Sequence, residues 1–267
     1  MGLLKNLAFL YRKYLQRNPY GWSGNYATWQ QAQQQCSGYD AGNILQKVKA
    51  ATLQVKRGEA IFERDAVLFD RIEYSWPLVA ALMWVAAKNN GRLKVIDFGG
   101  SLGSSYFQNK GFLDTLSAVQ WNVIEQHNFV TAGRESIQDD QLRFYYNVEE
   151  CIQQQGIPDI LLLCCTLPYI EKPYELLAAL LSHSIPHILI DNTPFNNNNA
   201  DRLTIQKVPP SIYSASYPCW FLNYEKVKKM IAGKYTISSE HTNDTVIYLD
   251  GYAIPYKGLL ATRKTQL

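Results

Sequence analysis

A glycine-rich segment that follows an apolar stretch carries the clearest chemical pattern in this chain. It contains one acidic residue and four small ones: Asp97, Gly99, Gly100, Ser101 and Gly103. Glycine lets a ligand approach the backbone closely and accepts positive φ, so the segment is suited to a binding loop. It is not the dinucleotide fingerprint GxGxxG, because serines occupy the second and third glycine positions. It also lacks the lysine of a phosphate loop.

The spacing acid-x-Gly-x-small-x-Gly resembles the loop that binds S-adenosylmethionine (SAM) in class I methyltransferases. SAM carries no phosphate, its amino-acid portion has to lie against bare backbone, and its positive charges favour a nearby carboxylate. Glu125, at the end of the next predicted strand, could accept hydrogen bonds from both ribose hydroxyls. Asn147, after the third strand, is placed to bond the adenine edge. The predicted cofactor site comprises Asp97, Gly99, Gly100, Ser101, Gly103, Glu125, Gln126, Asn147 and Thr166.

Each of these assignments has a structural alternative. Gly99 and Gly100 could serve only a tight turn. Glu125 could be a solvated carboxylate at a strand end, and Asn147 could be the N-cap of the following helix.

Strand and helix patterns alternate beyond Arg92. Strands are predicted at 94–98, 120–125, 143–146, 160–165 and 187–191, with helices between them, and two further strands at 235–240 and 245–249. Short hydrophobic strands separated by helices predict a parallel sheet that is covered on both faces. We therefore expect an α/β, Rossmann-like fold with a seven-stranded, mostly parallel sheet. Ligands of such sheets bind outside the carboxyl ends of the strands.

The chain is expected to form one compact unit with two parts. Residues 1–91 form an N-terminal arm, irregular over 18–40, and a helical cap with helices at 41–58, 60–74 and after Pro77. Residues 92–267 form the SAM-binding domain. An insert after the fifth strand, 192–219, is expected to act as a lid.

The chain also resembles, nearly end to end, a family of methyltransferases encoded among bacterial genes for surface polysaccharides. The resemblance is carried by GNYATWQQA, GYDAGNIL, RGEAIFERDAVLFD, EYSWPLVAALMW, VIDFGGSLGSSYFQ, WNVIEQ, PDILLL, IDNTPF and TIQKVPPSIYSASYPCWFL. It implies a class I methyltransferase fold, SAM as cofactor and a sugar or glycolipid acceptor. It implies no catalytic residue.

Methyl transfer to a hydroxyl requires close positioning of the acceptor and a base. Asp191, after the fifth strand, is the predicted base; its alternatives are a turn cap or an ion pair with Arg202. Tyr169 is predicted to bond the acceptor or to pack in the cleft wall, and Thr166 is expected to face the methyl group.

Two segments compete for the acceptor. The insert offers hydrogen-bonding and aromatic groups for a sugar platform: Arg202, Gln206, Tyr213, Tyr217 and Trp220. Its alternative is a loop whose aromatic residues pin it to the sheet. The rival segment, 63–76, carries Glu63, Arg64, Asp65, Asp70, Arg71 and Glu73, which could equally form salt bridges on a solvated helix.

Composition limits the partners. A net charge of +3 with mixed signs does not favour nucleic acid. The five cysteines have no CxxC spacing and indicate reduced cytoplasmic thiols, and the four histidines show no metal-ligand spacing. The amphipathic, basic segment 1–17 either docks on its own domain or contacts an anionic membrane surface. Two other functions stay open: a non-catalytic SAM-binding protein in a polysaccharide-assembly complex, and an NAD(P)-dependent sugar-modifying enzyme, which the failed GxGxxG disfavours.

Overall fold

The computed structural model describes residues 20–36, 41–196 and 198–264. The predicted helix at 1–17 lies outside these ranges. The strands are β1 (Gly21–Tyr26), β2 (Phe62–Arg64), β3 (Val67–Phe69), β4 (Arg92–Phe98), β5 (Ala118–Ile124), β6 (Leu142–Tyr145), β7 (Ile160–Cys164), β8 (His187–Pro194), β9 (Arg202–Val208), β10 (Ala215–Phe221), β11 (Tyr235–Leu249) and β12 (Tyr252–Arg263). The helices are α1 (Trp29–Gln34), α2 (Ala41–Lys56), α3 (Trp76–Lys88), α4 (Ser104–Leu113), α5 (His127–Ser136), α6 (Val148–Gln155), α7 (Pro173–Ser182) and α8 (Tyr224–Ala232), with a 3-10 turn at Leu167–Tyr169.

The central sheet has seven strands in the order β11-β12-β8-β7-β4-β5-β6. The five strands from β8 to β6 pair in parallel, whereas β12 runs antiparallel to both of its neighbours. The predicted Rossmann-like α/β fold with a mostly parallel seven-stranded sheet is thus confirmed.

Helices cover both faces of the sheet, which explains the apolar runs of the inner strands. Successive residues of β4 belong to different core clusters, because side chains alternate between the faces of a strand. Val95 packs with α2, α3, α4 and α5, whereas Ile96 packs with α6, α7 and α8. Both side chains are fully buried. The carboxyl ends of β4, β5 and β7 are therefore held rigidly at one edge of the sheet.

The helix predicted at 60–74 is wrong. This segment forms the antiparallel hairpin β2–β3, whose turn residues Asp65 and Ala66 have positive φ. Its apolar residues fit helical spacing in sequence, but packing of Phe62 into the core decides the structure.

The arm and the insert together form a second sheet. Strands β1, β9 and β10 pair antiparallel in the order β1-β9-β10. The expectation of an irregular arm over 18–40 is therefore wrong for 21–26 and for α1. Helix α1 covers one face of this small sheet, where Ala32, Leu203 and Ile205 form a buried cluster.

The two strands predicted at 235–240 and 245–249 are a single strand, β11. Its pairing with β12 is interrupted between Thr242 and Val246, and the polar residues there resemble a turn in the sequence. Strand β12, which inserts between β8 and β11, was not predicted.

Candidate active site

The glycine loop follows β4 and is packed tightly from behind. A Cβ atom on Gly99 would lie 2.5 Å from Cγ2 of Thr166, and Gly99 has φ +74°. A Cβ atom on Gly100 would lie 2.5 Å from Cγ of Asp97. Close packing alone therefore requires glycine at both positions. The two readings of these glycines, a tight turn and a ligand loop, are compatible.

Backbone hydrogen bonds tie this loop to β5 and lead it into α4. The N–H of Gly99 donates to the carbonyl of Ile124 over 2.8 Å, and the N–H of Gly103 donates to the carbonyl of Gly100 over 2.9 Å. Gly103 precedes α4 in a left-handed conformation and supplies no side-chain cap. The first N–H groups of α4, with their partial positive charge, thus suit an anionic group of a ligand.

Glu125 directly follows β5, next to the glycine loop. Its Oε1 accepts a hydrogen bond from the N–H of Ser101 (3.3 Å), and its Oε2 accepts one from the N–H of Gln126 (2.7 Å). Burial raises the pKa of this carboxyl, and the two hydrogen bonds oppose that rise. Glu125 is therefore directed at the loop rather than at bulk water.

Asp97 lies behind the loop. It is 1% exposed, and its Oδ2 accepts a hydrogen bond from Nε1 of Trp121 over 3.2 Å. Burial raises the pKa of Asp97 to about 7, and the negative charge of Glu125 adds to the rise. The carboxylate thus supports the loop from inside.

The remaining predicted cofactor residues surround the same edge of the sheet. Asn147 is exposed, and its Oδ1 accepts from the N–H of Glu150 (2.7 Å), which makes it the N-cap of α6. Thr166 is buried, and its hydroxyl donates to the carbonyl of Phe98 (2.8 Å). Gln126 is exposed at the start of α5.

Asp191 is fully buried, and both of its carboxylate oxygens are engaged. Oδ1 lies 2.8 Å from Nε2 of His241, and Oδ2 accepts a hydrogen bond from the hydroxyl of Ser75 over 2.6 Å. Burial acts to raise its pKa, but the hydrogen bonds from His241 and Ser75 outweigh burial and hold the pKa below its ordinary value. Asp191 therefore acts as a structural anchor, a buried carboxylate that holds Ser75 and His241 in place.

The alternative partner considered for Asp191, Arg202, lies elsewhere. It pairs with Asp250 (2.6 Å) and donates to the carbonyl of Gly24. Sequence reasoning missed both actual partners of Asp191. One feature of the sequence pointed to a special position for Ser75, which directly precedes a helix with proline in its first turn. His241 had none.

Three of the predicted acceptor residues lie together with Tyr169. The hydroxyl of Tyr169 donates to Oε1 of Gln206 over 2.8 Å. The rings of Tyr169 and Tyr217 meet edge to face, with their centroids 5.5 Å apart. Gln206 and Tyr217 are paired across β9 and β10, and Tyr217 interacts with Tyr213. Burial raises the pKa of each tyrosine, so their hydroxyls stay protonated at neutral pH.

Trp220 lies on the opposite face of the small sheet. It is three residues from Tyr217 on the same strand, and an odd separation places side chains on opposite faces. It stacks on Trp29 of α1, and the two ring centroids lie 6.5 Å apart. The five residues expected to form one platform are therefore divided.

The β2–β3 hairpin approaches the site from the cap. Glu63 is 1% exposed and accepts a hydrogen bond from the hydroxyl of Ser104, the first residue of α4. Arg64 and Asp65, at the tip, are exposed. The hairpin therefore lies beside the glycine loop.

Three further observations bear on chemistry and location. All five cysteines carry free thiols. Within 20–36, 41–196 and 198–264, no cluster of three or more His, Cys, Asp or Glu residues is arranged to hold a metal ion. In those same ranges no helix is both long and apolar enough to cross a bilayer.

Comparison with known proteins gives only distant structural likenesses. No family model and no curated protein sequence matches the chain. Among solved structures it is similar to a magnesium protoporphyrin IX methyltransferase from Synechocystis PCC 6803 with bound SAM, at 15% identity and a TM-score of 0.44 over 85% of this chain and 99% of that one. It is also similar to the N-terminal domain of EvdMO1 in the presence of S-adenosylhomocysteine (SAH) and D-fucose. The identity is 11% and the TM-score 0.44, over 85% of this chain and 98% of that one. A third similar structure is the glycopeptide N-methyltransferase MtfA complexed with SAM. The identity is 9% and the TM-score 0.46, over 70% of this chain and 94% of that one. Values this low do not transfer function, which has to be inferred from this chain's own site.

Proposed function

We propose that the protein is a SAM-dependent methyltransferase that methylates an oxygen of a small or sugar-containing acceptor. The observation that carries this proposal is the position of Glu125, whose carboxylate accepts the Ser101 N–H of the glycine loop at the carboxyl edge of the sheet. When bound, SAM supplies an activated methyl group. A carboxylate beside a glycine loop suits a ligand that has a diol and no phosphate.

The donor set of this edge fits SAM. Glu125 is placed to accept hydrogen bonds from the ribose hydroxyls. The uncapped N-terminus of α4, after Gly103, suits the carboxylate of the amino-acid portion. Gln126 and Asn147 are exposed close to Glu125 in the chain and would border the adenine of SAM. In this proposal residues 1–91 act as cap and residues 92–267 hold the cofactor.

The acceptor would lie on the side of Tyr169. Its neighbours Gln206, Tyr213 and Tyr217 offer amide and phenol groups to sugar hydroxyls and ring faces to apolar sugar faces. Arg202 is paired with Asp250, and Trp220 lies on the opposite face of the small sheet against Trp29, so neither is assigned to the acceptor here. Asp191 enters as an anchor rather than as the base, because both of its oxygens are engaged. A surface-polysaccharide acceptor and a cytoplasmic location belong to the proposal through the family resemblance.

A non-catalytic SAM-binding protein is the second candidate. The engagement of Asp191 favours it, because the residue expected to act as base has no free oxygen. Methyl transfer by the purified protein separates the two candidates.

Two measurements on the full chain test the proposal. Calorimetry with S-adenosylhomocysteine (SAH) and with NADH reports the cofactor; we expect SAH to bind and NADH to bind far more weakly. Incubation with [methyl-3H]SAM and a panel of free deoxyhexoses and nucleoside diphosphate hexoses reports transfer. Tighter binding of NADH than of SAH would overturn the methyltransferase proposal. SAH binding without transfer to any sugar favours the non-catalytic candidate.

A further inference from the structure

A cleft lies at the amino-terminal edge of the central sheet, where β8 begins and β12 ends. Its volume of about 440 Å³ is within the range of small-molecule sites, about 300–1,000 Å³. We call it the basal cleft. Its lining includes Lys88, Ser184, His187, Thr262, Arg263 and Lys264. Three of these residues are cations, and in the part of the chain that the structure describes no aspartate or glutamate lines the cleft.

The basal cleft is remote from the edge at which methyl transfer is proposed. His187 is the first residue of β8, which has eight residues and pairs in parallel with β7. A strand rises about 3.3 Å per residue, so β8 separates the two edges of the sheet by roughly 20–25 Å. A small ligand in the basal cleft therefore does not reach the glycine loop, and the cleft is a site of its own.

One part of the basal cleft is built around a buried histidine. His187 is 7% exposed, its Nδ1 lies 3.1 Å from the hydroxyl oxygen of Thr262, and its ring meets Trp84 edge to face with the centroids 5.0 Å apart. The ammonium of Lys88, the last residue of α3, lies 4.4 Å from the centroid of the same Trp84 ring. Nε2 of His187 has no hydrogen-bond partner among the described residues and is not fully enclosed. The cleft thus presents a fixed imidazole nitrogen close to a cation.

The other two cations lie at the end of β12. Nη1 of Arg263 donates to the carbonyl of Ser184 over 3.1 Å, which fixes the guanidinium beside a lining residue and uses one of its five N–H groups. The ammonium of Lys264 donates to the carbonyl of Ala232 over 2.8 Å and retains two further N–H groups. Within 20–36, 41–196 and 198–264, neither of these cations nor Lys88 forms an ion pair with a carboxylate.

The positive charge at the basal cleft is not offset by a neighbouring acid. Burial lowers the pKa of His187, and the charge of Lys88 adds to the fall, against the opposing charge of Asp159. Asp159 does not line the cleft, and its Oδ2 already accepts the N–H of Lys94 over 2.6 Å. His187 is therefore neutral at pH 7, and it contributes a hydrogen-bonding nitrogen rather than a fourth charge.

We propose that the basal cleft binds an anion of the phosphate class, supplied by a diphosphate in solution or by the phosphate of a lipid headgroup. A carboxylate ligand brings one negative charge, whereas a phosphate monoester brings about 1.5 to 2, which suits three cations without an acid. Arg263 offers the planar N–H donors that match phosphate oxygens, and Lys88 and Lys264 act as point charges. Nε2 of His187 adds a polar contact. The proposal does not depend on methyl transfer.

The test compares two double variants that lose the same charge. Lys88→Gln/Arg263→Gln removes two cations of the basal cleft. The control, Arg57→Gln/Lys172→Gln, removes two exposed cations that have acidic partners elsewhere on the surface. Calorimetry with inorganic pyrophosphate measures binding of a dissolved anion. Co-sedimentation with phosphatidylcholine vesicles, with and without phosphatidic acid, measures binding of a headgroup. Both assays use the full chain at about 0.15 M NaCl, where screening over about 8 Å suppresses binding by net charge alone.

We expect the wild type to bind pyrophosphate, the phosphatidic acid vesicles, or both. Lys88→Gln/Arg263→Gln should bind at least about tenfold more weakly, and the control should stay within about twofold of wild type. Both should keep the wild-type affinity for SAH. Binding of pyrophosphate alone assigns a dissolved ligand, and binding of vesicles alone assigns a lipid headgroup.

Nuclear magnetic resonance of the histidine rings locates the ligand without any substitution. Pyrophosphate or a short-chain phosphatidic acid should shift the ring signals of His187 and leave those of His127, beside Glu125 at the opposite edge of the sheet, unchanged. Equal weakening in the two double variants, unshifted His187 signals, or a wild type that binds neither probe overturns the phosphate site. A wild type that binds no SAH overturns the proposed function and leaves the phosphate site intact.

Discussion

Nε2 of His241 lies 2.8 Å from Oδ1 of Asp191, and this contact joins β8 to the edge strand β11 across β12. The intervening strand makes room for it at Gly258, where a Cβ atom would lie 2.4 Å from Nε2 of His241. Ser75 completes the arrangement from the start of α3. Asp191 thus links β8, β11 and the start of α3.

His241→Ala should lower the free energy of unfolding by about 3–5 kcal/mol, because it leaves a buried carboxylate with one partner fewer. Since the pKa of Asp191 is lowered by folding, its contribution is present above about pH 4 and is lost as pH falls through the lowered value. Denaturant unfolding at pH 7 gives the magnitude.

The matched control is His183→Ala, which removes a half-buried histidine whose partner Glu149, 3.3 Å away, is exposed. A pair with one exposed partner is screened by solvent and contributes about 0–1 kcal/mol. Equal losses for the two variants would contradict the anchor role of Asp191.

Local features of the sequence were sufficient to predict the five parallel strands of the central sheet and the glycine loop. Strands β4 and β7 are buried on both faces, so their apolar runs are continuous and recognisable. The glycine loop and Glu125 follow strand ends directly, and the parallel sheet brings those ends together without further information.

Long-range register is what the sequence did not reveal. The contact between His241 and Asp191 depends on how β11 pairs with β12, and the polar interruption of β11 resembles a turn. The division of the acceptor residues depends on recognising β10 as a strand. Side chains alternate between the two faces of a strand, and this alternation places Tyr217 and Trp220 on opposite faces. Residues 60–74 match helical spacing in the sequence but include the β2–β3 hairpin, because tertiary contacts decide the structure of this segment.

Gly99→Ala should destabilise the protein and weaken SAH binding. The added Cβ would lie 2.5 Å from Thr166, at a backbone φ that alanine rarely adopts. We expect a loss of about 1–3 kcal/mol, the usual cost of such a conformation, and at least tenfold weaker binding in calorimetry.

Gly111→Ala in α4 is the control, since nothing lies within 4 Å of the added atom. It should stabilise the protein by about 0.5–1 kcal/mol through helix propensity. If Gly99→Ala bound SAH as the wild type does, the loop would not contact the cofactor.

Glu125→Gln should weaken SAH binding by about 10- to 100-fold, because hydrogen bonds to a charged group contribute about 1.5–3 kcal/mol. Folding should be little affected, since glutamine can still accept the N–H of Ser101. Calorimetry measures the affinity and thermal unfolding the stability. Glu135→Gln, on the exposed side of α5 with Lys49 3.9 Å away, should bind SAH normally. An unchanged affinity for Glu125→Gln would remove the observation that carries the proposed function.

Asp97→Asn should make the protein more stable at neutral pH. The folded-state pKa of Asp97 is about 7, well above its ordinary value near 4, so the folded protein binds a proton that the unfolded chain has already released. Stability therefore falls as pH rises from about 4 to 7, and the variant should lack this fall. The shift corresponds to on the order of 2–4 kcal/mol. Urea unfolding of wild type and variant at pH 5 and 8 gives the difference, with the exposed Asp140→Asn as control. A constant difference between the two pH values would show that Asp97 stays charged in the folded protein.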